Sequence, residues 1–165
     1  MAEKNYILNQ AVASKKLRRM ALEILEQNPE EKMIVLAGIR ESGSVVARCM
    51  EKLLKEIANI QIELITISLD KRAPMEVKLS HEPDLNDKVI IIVDDVANSG
   101  RTMLYALKPF LNFRPKKIQT LVLVGRSHNS FPITTDYVGL SIATTLQEHI
   151  YVEVKGEEIL GAYLA

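Results

Sequence analysis

The sequence predicts an α/β fold: one three-layer domain over residues 1–165 with a mainly parallel sheet. Three observations carry that expectation. Apolar strand-like runs alternate with amphipathic helical stretches over the whole length, as in βαβ units. Val89-Ile90-Ile91-Ile92-Val93 is β-branched throughout with no polar alternation, the pattern of a strand buried on both faces of a parallel sheet. The chain's 165 residues hold no repeat, low-complexity tract or linker, and a chain of that size buries roughly two thirds of its unfolded surface in one core.

The elements follow in order. Leu17, Met20, Ala21, Ile24 and Leu25 mark one face of a first helix, with Lys15, Lys16, Arg18 and Arg19 on the others and Pro29 just past its end. Met33 to Ala37 reads as a strand, and Val45, Val46, Cys49, Leu53, Leu54 and Ile57 trace a second helix. Ile60 to Ser68 has a strand's alternation. Leu69 to Asp87 has no sustained period and holds two prolines and many charges, so it reads as a long loop, and long loops in compact domains are often lids. Strand Lys88–Val93, helix Arg101–Phe113 and strand Lys117–Val124 come next. Tyr137–Ile142 and Ile150–Val154 read as short strands, and Ile159–Leu164 closes the chain.

The junction after Val93 is the most informative stretch. Asp94-Asp95-Val96-Ala97-Asn98-Ser99-Gly100-Arg101-Thr102 starts at the carboxyl end of a buried strand, where ligands collect in parallel sheets. Two adjacent carboxylates accept hydrogen bonds from a cis-diol or hold a divalent cation through oxygen. The loop then opens a helix, so free backbone N–H groups face whatever lies there. Gly100 allows close approach, and the hydroxyls of Ser99 and Thr102 add donors. That layout suits a phosphorylated sugar. The plain alternative is an Asp-Asp helix cap and a Ser-Gly turn with no ligand.

A second loop, Gly38-Ile39-Arg40-Glu41-Ser42-Gly43, joins two glycines to a basic side chain at another strand's carboxyl end. Backbone amides and one guanidinium make an anion site, or simply a turn that begins a helix. The 21 basic and 21 acidic residues cancel, so no global field draws the chain to nucleic acid. The single Cys49 cannot form an internal disulfide and reads as a small buried thiol. His81, His128 and His149 show no metal-ligand spacing. No apolar run approaches a membrane span and no signal peptide opens the chain, so a cytoplasmic protein is expected.

Residues Val89 to Thr102 match the signature of the type I phosphoribosyltransferases: four or five apolar residues, an acidic pair, a short variable stretch, then Thr or Ser, Gly, any residue, Thr or Ser. The resemblance implies that fold with a small hood. It implies that Asp94 and Asp95 bind the ribose hydroxyls of phosphoribosyl diphosphate (PRPP), and that Ala97, Asn98, Ser99, Gly100, Arg101 and Thr102 wrap its 5-phosphate. Gly38, Ile39, Arg40 and Gly43 would form the diphosphate loop, with Arg40 on the leaving group. Lys71 and Arg72 become lid candidates, and Arg126 and His128 base-binding candidates. Magnesium would come with PRPP rather than through a direct protein ligand. Tyr6-Ile7-Leu8, the basic first helix, Leu123-Val124-Gly125-Arg126-Ser127-His128 and Pro132 to Gly139 are similar to the bacterial pyrimidine-operon regulators that are also uracil phosphoribosyltransferases. A homodimer or larger homo-oligomer is implied as well.

The chain departs from its relatives at three places. Purine-salvage members carry a general-base aspartate where this chain has Asn98, and an amide takes up no proton at neutral pH. Gly125 stands where those members place a lysine and the pyrimidine regulators an aspartate, so the resemblance does not specify how the base is read. Ser127 and Asn129 replace a glycine and an arginine in a region implicated in RNA contact, and losing a cation weighs against RNA as a partner. Glu153 falls where purine-salvage members place a metal-linked aspartate. Together these features imply transfer of phosphoribosyl from PRPP to a nucleobase, uracil first. The alternatives are a nucleotide-sensing RNA-binding regulator of pyrimidine genes and a purine-base transferase.

Overall fold

The computed structural model describes residues 3–145 and 147–165. Its elements are β1 (Asn5–Asn9), α1 (Gln10–Gln27), β2 (Met33–Ile39), α2 (Ser42–Ile57), β3 (Gln61–Leu69), β4 (Val77–Leu79), β5 (Val89–Ala97), α3 (Arg101–Ala106), a 3-10 turn (Lys108–Asn112), β6 (Lys117–Arg126), β7 (Tyr137–Ile142), β8 (Ile150–Lys155) and β9 (Glu158–Leu164). Six strands form the main sheet in the order β4-β3-β2-β5-β6-β7. All its pairings are parallel except β3 with β4. The remaining three form an antiparallel sheet, β1-β9-β8.

The unbroken apolar run of β5 resolves into two faces. Ile91 and Val93 join the core under α1 and α2, whereas Ile90 and Ile92 join the core under α3 and the 3-10 turn. Each is fully buried, and such a side chain contributes roughly 1.5–3 kcal/mol as an upper bound. β2 divides the same way, Ile34 and Leu36 on one face, Val35, Ala37 and Ile39 on the other. Helices therefore cover both faces, and the expected three layers are present.

Helix α1 begins where the Asn9 side chain accepts the Val12 N–H at 2.9 Å. It buries Ala13, Leu17, Met20, Ala21 and Ile24 and stops at Asn28, one residue before Pro29. Asn28 is itself buried, its amide donating to the Ile24 carbonyl at 2.9 Å and to Gln119 Oε1 at 3.2 Å. The Tyr137 hydroxyl, fully buried, donates to the same Gln119 oxygen at 2.8 Å. This polar group ties α1 to β6 and β7. The three-stranded sheet packs on α1, α2 and β5 and is the small hood.

Several expected boundaries differ. Leu69–Asp87 is not wholly loop, because Val77–Leu79 pairs back onto Ile67–Leu69. Arg101–Phe113 is not one helix: α3 ends at Ala106, since Pro109 lacks the N–H that would continue it. β2 runs on to Ile39 and β5 to Ala97, so Gly38, Ile39, Asp94, Asp95 and Ala97 sit on strands rather than in loops. Cys49 is half-buried rather than buried, its thiol beside the Glu157 carbonyl at 3.4 Å, and burial raises its pKa. Among the described residues, no helix is long and apolar enough to cross a membrane.

Candidate active site

The order of the main sheet reverses between β2 and β5. β2 leads through α2 to its neighbour β3 on one side, and β5 leads through α3 to β6 on the other. Because α2 and α3 lie on opposite faces of the sheet, a crevice opens outside the carboxyl ends of β2 and β5. The two sequence-predicted loops meet there. A Cβ on Gly43 would lie 2.8 Å from the Val93 carbonyl oxygen and 3.0 Å from Asp94 Cα and Oδ1, so only glycine lets the start of α2 touch the acidic pair. Gly38 is equally confined, 2.8 Å from Ser44 Cα and 2.9 Å from the Gly43 carbonyl oxygen.

Asp94 is 2% exposed. Its Oδ1 accepts the Asp95 N–H at 2.8 Å, and Asp95 Oδ1 accepts the Val96 N–H at 2.8 Å. Burial holds the Asp94 carboxyl well above the usual carboxylate range, the neighbouring Asp95 adds to the rise, and Lys71 opposes it. Lys71 Nζ stands 3.5 Å from Asp94 Oδ2. The lid candidate thus reaches the acidic pair directly.

Gly100 turns the chain into α3 with φ +88°, a left-handed conformation that favours glycine, and a Cβ there would lie 2.6 Å from Ile133 Cγ2. The Ser99 carbonyl accepts two N–H groups, from Ser130 at 3.0 Å and Phe131 at 3.1 Å. Residues Val96 to Met103, with Lys71 and Asp94, enclose a cavity of about 70 Å³. The Arg101 guanidinium turns outward and donates to the carbonyls of Lys71, at 3.1 Å, and Arg72, at 2.7 Å. Lys108 holds the Met75 carbonyl at 2.8 Å. The stretch after β3 is therefore fastened onto the loop that follows β5. The Arg72 side chain itself is exposed.

On the other flank, Arg40 extends into solvent, 64% exposed, its Nε 4.0 Å from Glu41 Oε1. Its backbone N–H donates to the Ile67 carbonyl at 2.9 Å. A cavity of about 610 Å³ opens beside it, bordered by Ser68, Asp70, Glu76 and Lys78. No side chain among the described residues caps α2, and its first turn holds no acidic residue of its own, although Glu41 stands at its N-cap position and Asp94 lies against Gly43.

Arg126 and His128 line a further cavity of about 210 Å³ with Ser127, Ser130 and Thr144, and Asn98 and Ser99 form the wall shared with the 70 Å³ cavity. The Arg126 guanidinium donates to the Glu148 carbonyl. Gly125 leaves room, since a Cβ would be no nearer than 3.4 Å to Val138 Cγ1. Glu153 is committed elsewhere, to the Tyr6 hydroxyl at 2.8 Å and Lys4 at 3.5 Å on the hood. His81 pairs with Glu63 at 2.7 Å on the β3–β4 hairpin.

Sequence reasoning missed Thr144, Ser130 and Ile133. Each reaches the crevice through chain separated from the Asp94–Thr102 motif by tens of residues, and Thr144 carries no local signal. The proline and threonines between Ser130 and Asp136 mark a turn but not its destination.

A family model described as a phosphoribosyl transferase domain matches residues 5–157. The bifunctional protein PyrR of Staphylococcus carnosus is 36% identical over 159 residues, covering 90% of this chain and 91% of that protein. The bifunctional protein PyrR of Clostridium kluyveri is 36% identical over 163 residues, covering 93% and 92%. The crystal structure of a hypoxanthine phosphoribosyltransferase of Trypanosoma cruzi superposes with a TM-score of 0.76 over 86% of this chain and 83% of its own, at 17% identity, a likeness of fold. With its acidic pair and glycine loops at one sheet switch point and the family's pattern running through nearly all of its length, the chain belongs to the phosphoribosyl transferase domain family and, within it, to the group of the PyrR proteins.

Proposed function

We propose that this chain transfers the phosphoribosyl group of PRPP to uracil, giving uridine monophosphate (UMP) and diphosphate. The observation that carries the reading is the meeting of three parts at one crevice: a buried Asp94 beside a half-buried Asp95, the Gly100 loop that shares a cavity with Asp94, and the Gly43 turn wedged against Asp94. Asp94 and Asp95 hold the ribose diol, while Ala97 to Thr102 take the 5-phosphate. Gly38 to Gly43 cradle the diphosphate, with Arg40 as its exposed cation. Asp94 and Asp95 offer hard oxygen donors that fit magnesium carried in by PRPP, and the ion supplies charge neutralisation of the leaving group. The C1–O bond breaks with its electron pair going to diphosphate, and N1 of the base bonds to C1. The N1 proton passes to solvent. The acidic pair offsets the positive charge that builds on the ring, fixed in place beforehand by the backbone N–H groups it accepts. Lys71 and Arg72 close over the sugar and keep water from C1. Arg126 and His128 border the base.

Purified protein with magnesium, PRPP and uracil is expected to release diphosphate. No release with uracil, hypoxanthine, guanine, xanthine or adenine overturns the reading. A regulatory RNA-binding role is a second reading, favoured by the exposed Lys15 and Arg18 and the half-buried Lys16 of α1. Arg19 is spent within the fold, on Glu23 and the Val138 and Gly139 carbonyls. No binding of a pyrimidine-operon leader RNA at low salt, with or without UMP, removes that role. A cytoplasmic homodimer or larger homo-oligomer belongs to the same proposal, and sedimentation showing only monomer contradicts its assembly part.

A further inference from the structure

The chain closes the phosphate side of the crevice with its own residues. Val96 to Met103, with Lys71 and Asp94, enclose about 70 Å³. That is room for about two water molecules at about 30 Å³ each, far below the roughly 300 Å³ at which small-molecule pockets begin. The wall responsible is the stretch after β3, and it is held at both ends. Arg101, the first residue of α3, donates to the carbonyls of Lys71 and Arg72. Lys108 donates to the Met75 carbonyl, and Pro74 beside it is buried. At the start of the stretch the Asp70 carboxylate accepts the Arg72 N–H at 2.9 Å and folds it into a turn. The Lys71 side chain, carried on this fastened backbone, is thereby delivered to Asp94 Oδ2, while Oδ1 is already taken by the Asp95 N–H.

We infer that Arg101 is a positioning residue that straps the site shut until substrate enters. By holding the backbone of residues 71 and 72 it sets the Lys71 ammonium on Asp94, in the place that the ribose hydroxyls and magnesium must take. The inference rests on the proposed phosphoribosyl transfer, which assigns Asp94 to the sugar. An ammonium offers donors and no acceptor, so Lys71 repels magnesium and competes with a ribose hydroxyl for the same oxygen. The strap is weak enough to open, because Lys71 is 49% exposed and Arg101 half-buried, and solvent screens both contacts. PRPP then enters only the open fraction of molecules, and its entry rate and apparent affinity fall by that fraction. The Arg101 N–H also donates to Ser99 Oγ at 3.3 Å, so the residue that fastens the lid belongs to the turn assigned to the 5-phosphate. Phosphate gaining that turn competes for the guanidinium that keeps the lid down.

Two measurements on the wild type, Lys71→Met and Arg101→Met test this: hydrogen exchange of the protein alone, and surface plasmon resonance of magnesium-PRPP on the immobilised protein. The second is run in about 0.3 M salt, which screens long-range steering of the anion. In Arg101→Met the amides of residues 71–76 are expected to exchange severalfold faster than in the wild type. Both variants are expected to take up PRPP faster, severalfold to about tenfold, the worth of the contacts removed. A merely structural role for either side chain would leave entry unchanged or slow it. Unchanged or slower entry in either variant therefore overturns the inference, and so does unchanged exchange in Arg101→Met; PRPP binding by the wild type in those cases leaves the transferase reading standing. If none of the three proteins binds PRPP, the transferase reading fails and takes this one with it.

Discussion

Replacing Asp94 by asparagine is expected to stabilise the ligand-free protein at neutral pH while removing its affinity for PRPP. Asp94 is 2% exposed, and burial together with Asp95 holds its pKa well above the ordinary carboxylate range. A group whose folded pKa is raised has its stabilising contribution fully present below the unfolded pKa, about 3.9 for aspartate, and loses it as pH rises through the folded pKa. As pH rises from about 4 toward 8 the native state therefore increasingly bears the cost of a carboxyl held where its ionised form is disfavoured. That cost is several kcal/mol for an isolated ion. The Asp95 N–H at 2.8 Å and Lys71 at 3.5 Å return part of it, Lys71 weakly because it is 49% exposed. Asparagine keeps the oxygen that accepts the Asp95 N–H but brings two N–H donors of its own. The net gain is about 1–2 kcal/mol, which for a chain of this size is about 2–8 °C in Tm. Thermal melts of both proteins at pH 5, 6, 7 and 8, with and without magnesium-PRPP, provide the assay. The advantage of Asp94→Asn is expected at pH 8 and to shrink toward pH 5. PRPP at about a hundred times its Kd stabilises the wild type by about 2.7 kcal/mol and the variant not at all. An advantage that grows as pH falls, or no advantage at pH 8, refutes the electrostatic account.

Other perturbations act on contacts already described. Gly43→Ala gains about 1 kcal/mol of helix propensity but sets a methyl 2.8 Å from the Val93 carbonyl and 3.0 Å from Asp94 Cα, both backbone. The net loss is about 1–2 kcal/mol, read as a lower urea midpoint with weaker PRPP binding. Tyr137→Phe leaves Gln119 Oε1 without its 2.8 Å donor and is expected to cost about 1–2 kcal/mol with PRPP affinity unchanged, by paired melts and titrations. Arg101→Ala releases the Lys71 and Arg72 carbonyls, so trypsin is expected to cut after those residues severalfold faster than in the wild type. Equal cutting rates there mean that Arg101 is no fastener.

The parallel sheet was legible because Val89–Val93 and Leu121–Val124 are apolar on both faces, a pattern that only two covering layers satisfy. The acidic pair and both glycine loops were legible because the ligand sites of parallel sheets are built from the few residues directly after a strand, which are contiguous in the chain. The reach of Lys71 to Asp94 was not, since a charged residue in an aperiodic loop reads equally well as solvated. Thr144 and Ile133 were invisible for a different reason: their roles depend on how the returning chain lands. β1 and β4 were missed as strands because at five and three residues they are too short for a period to show, and pairing rather than propensity creates them.

The hood is knitted from both ends of the chain, with β9 lying between β1 and β8. Asn5 finds its partner in Leu164, so β1 waits for a segment at the far end of the domain. The main sheet, complete at Ile142, can assemble earlier and hold the crevice open while α1 and the unpaired β1 edge stay uncovered. A chain made only as far as Ile142 therefore has all the strands of the main sheet and the Asp94–Thr102 loop but not β8 and β9 of the roof. Closure of the hood is then a late, long-range step that loop entropy makes slow, and it is the stage at which a stray strand from a second copy would find an open edge.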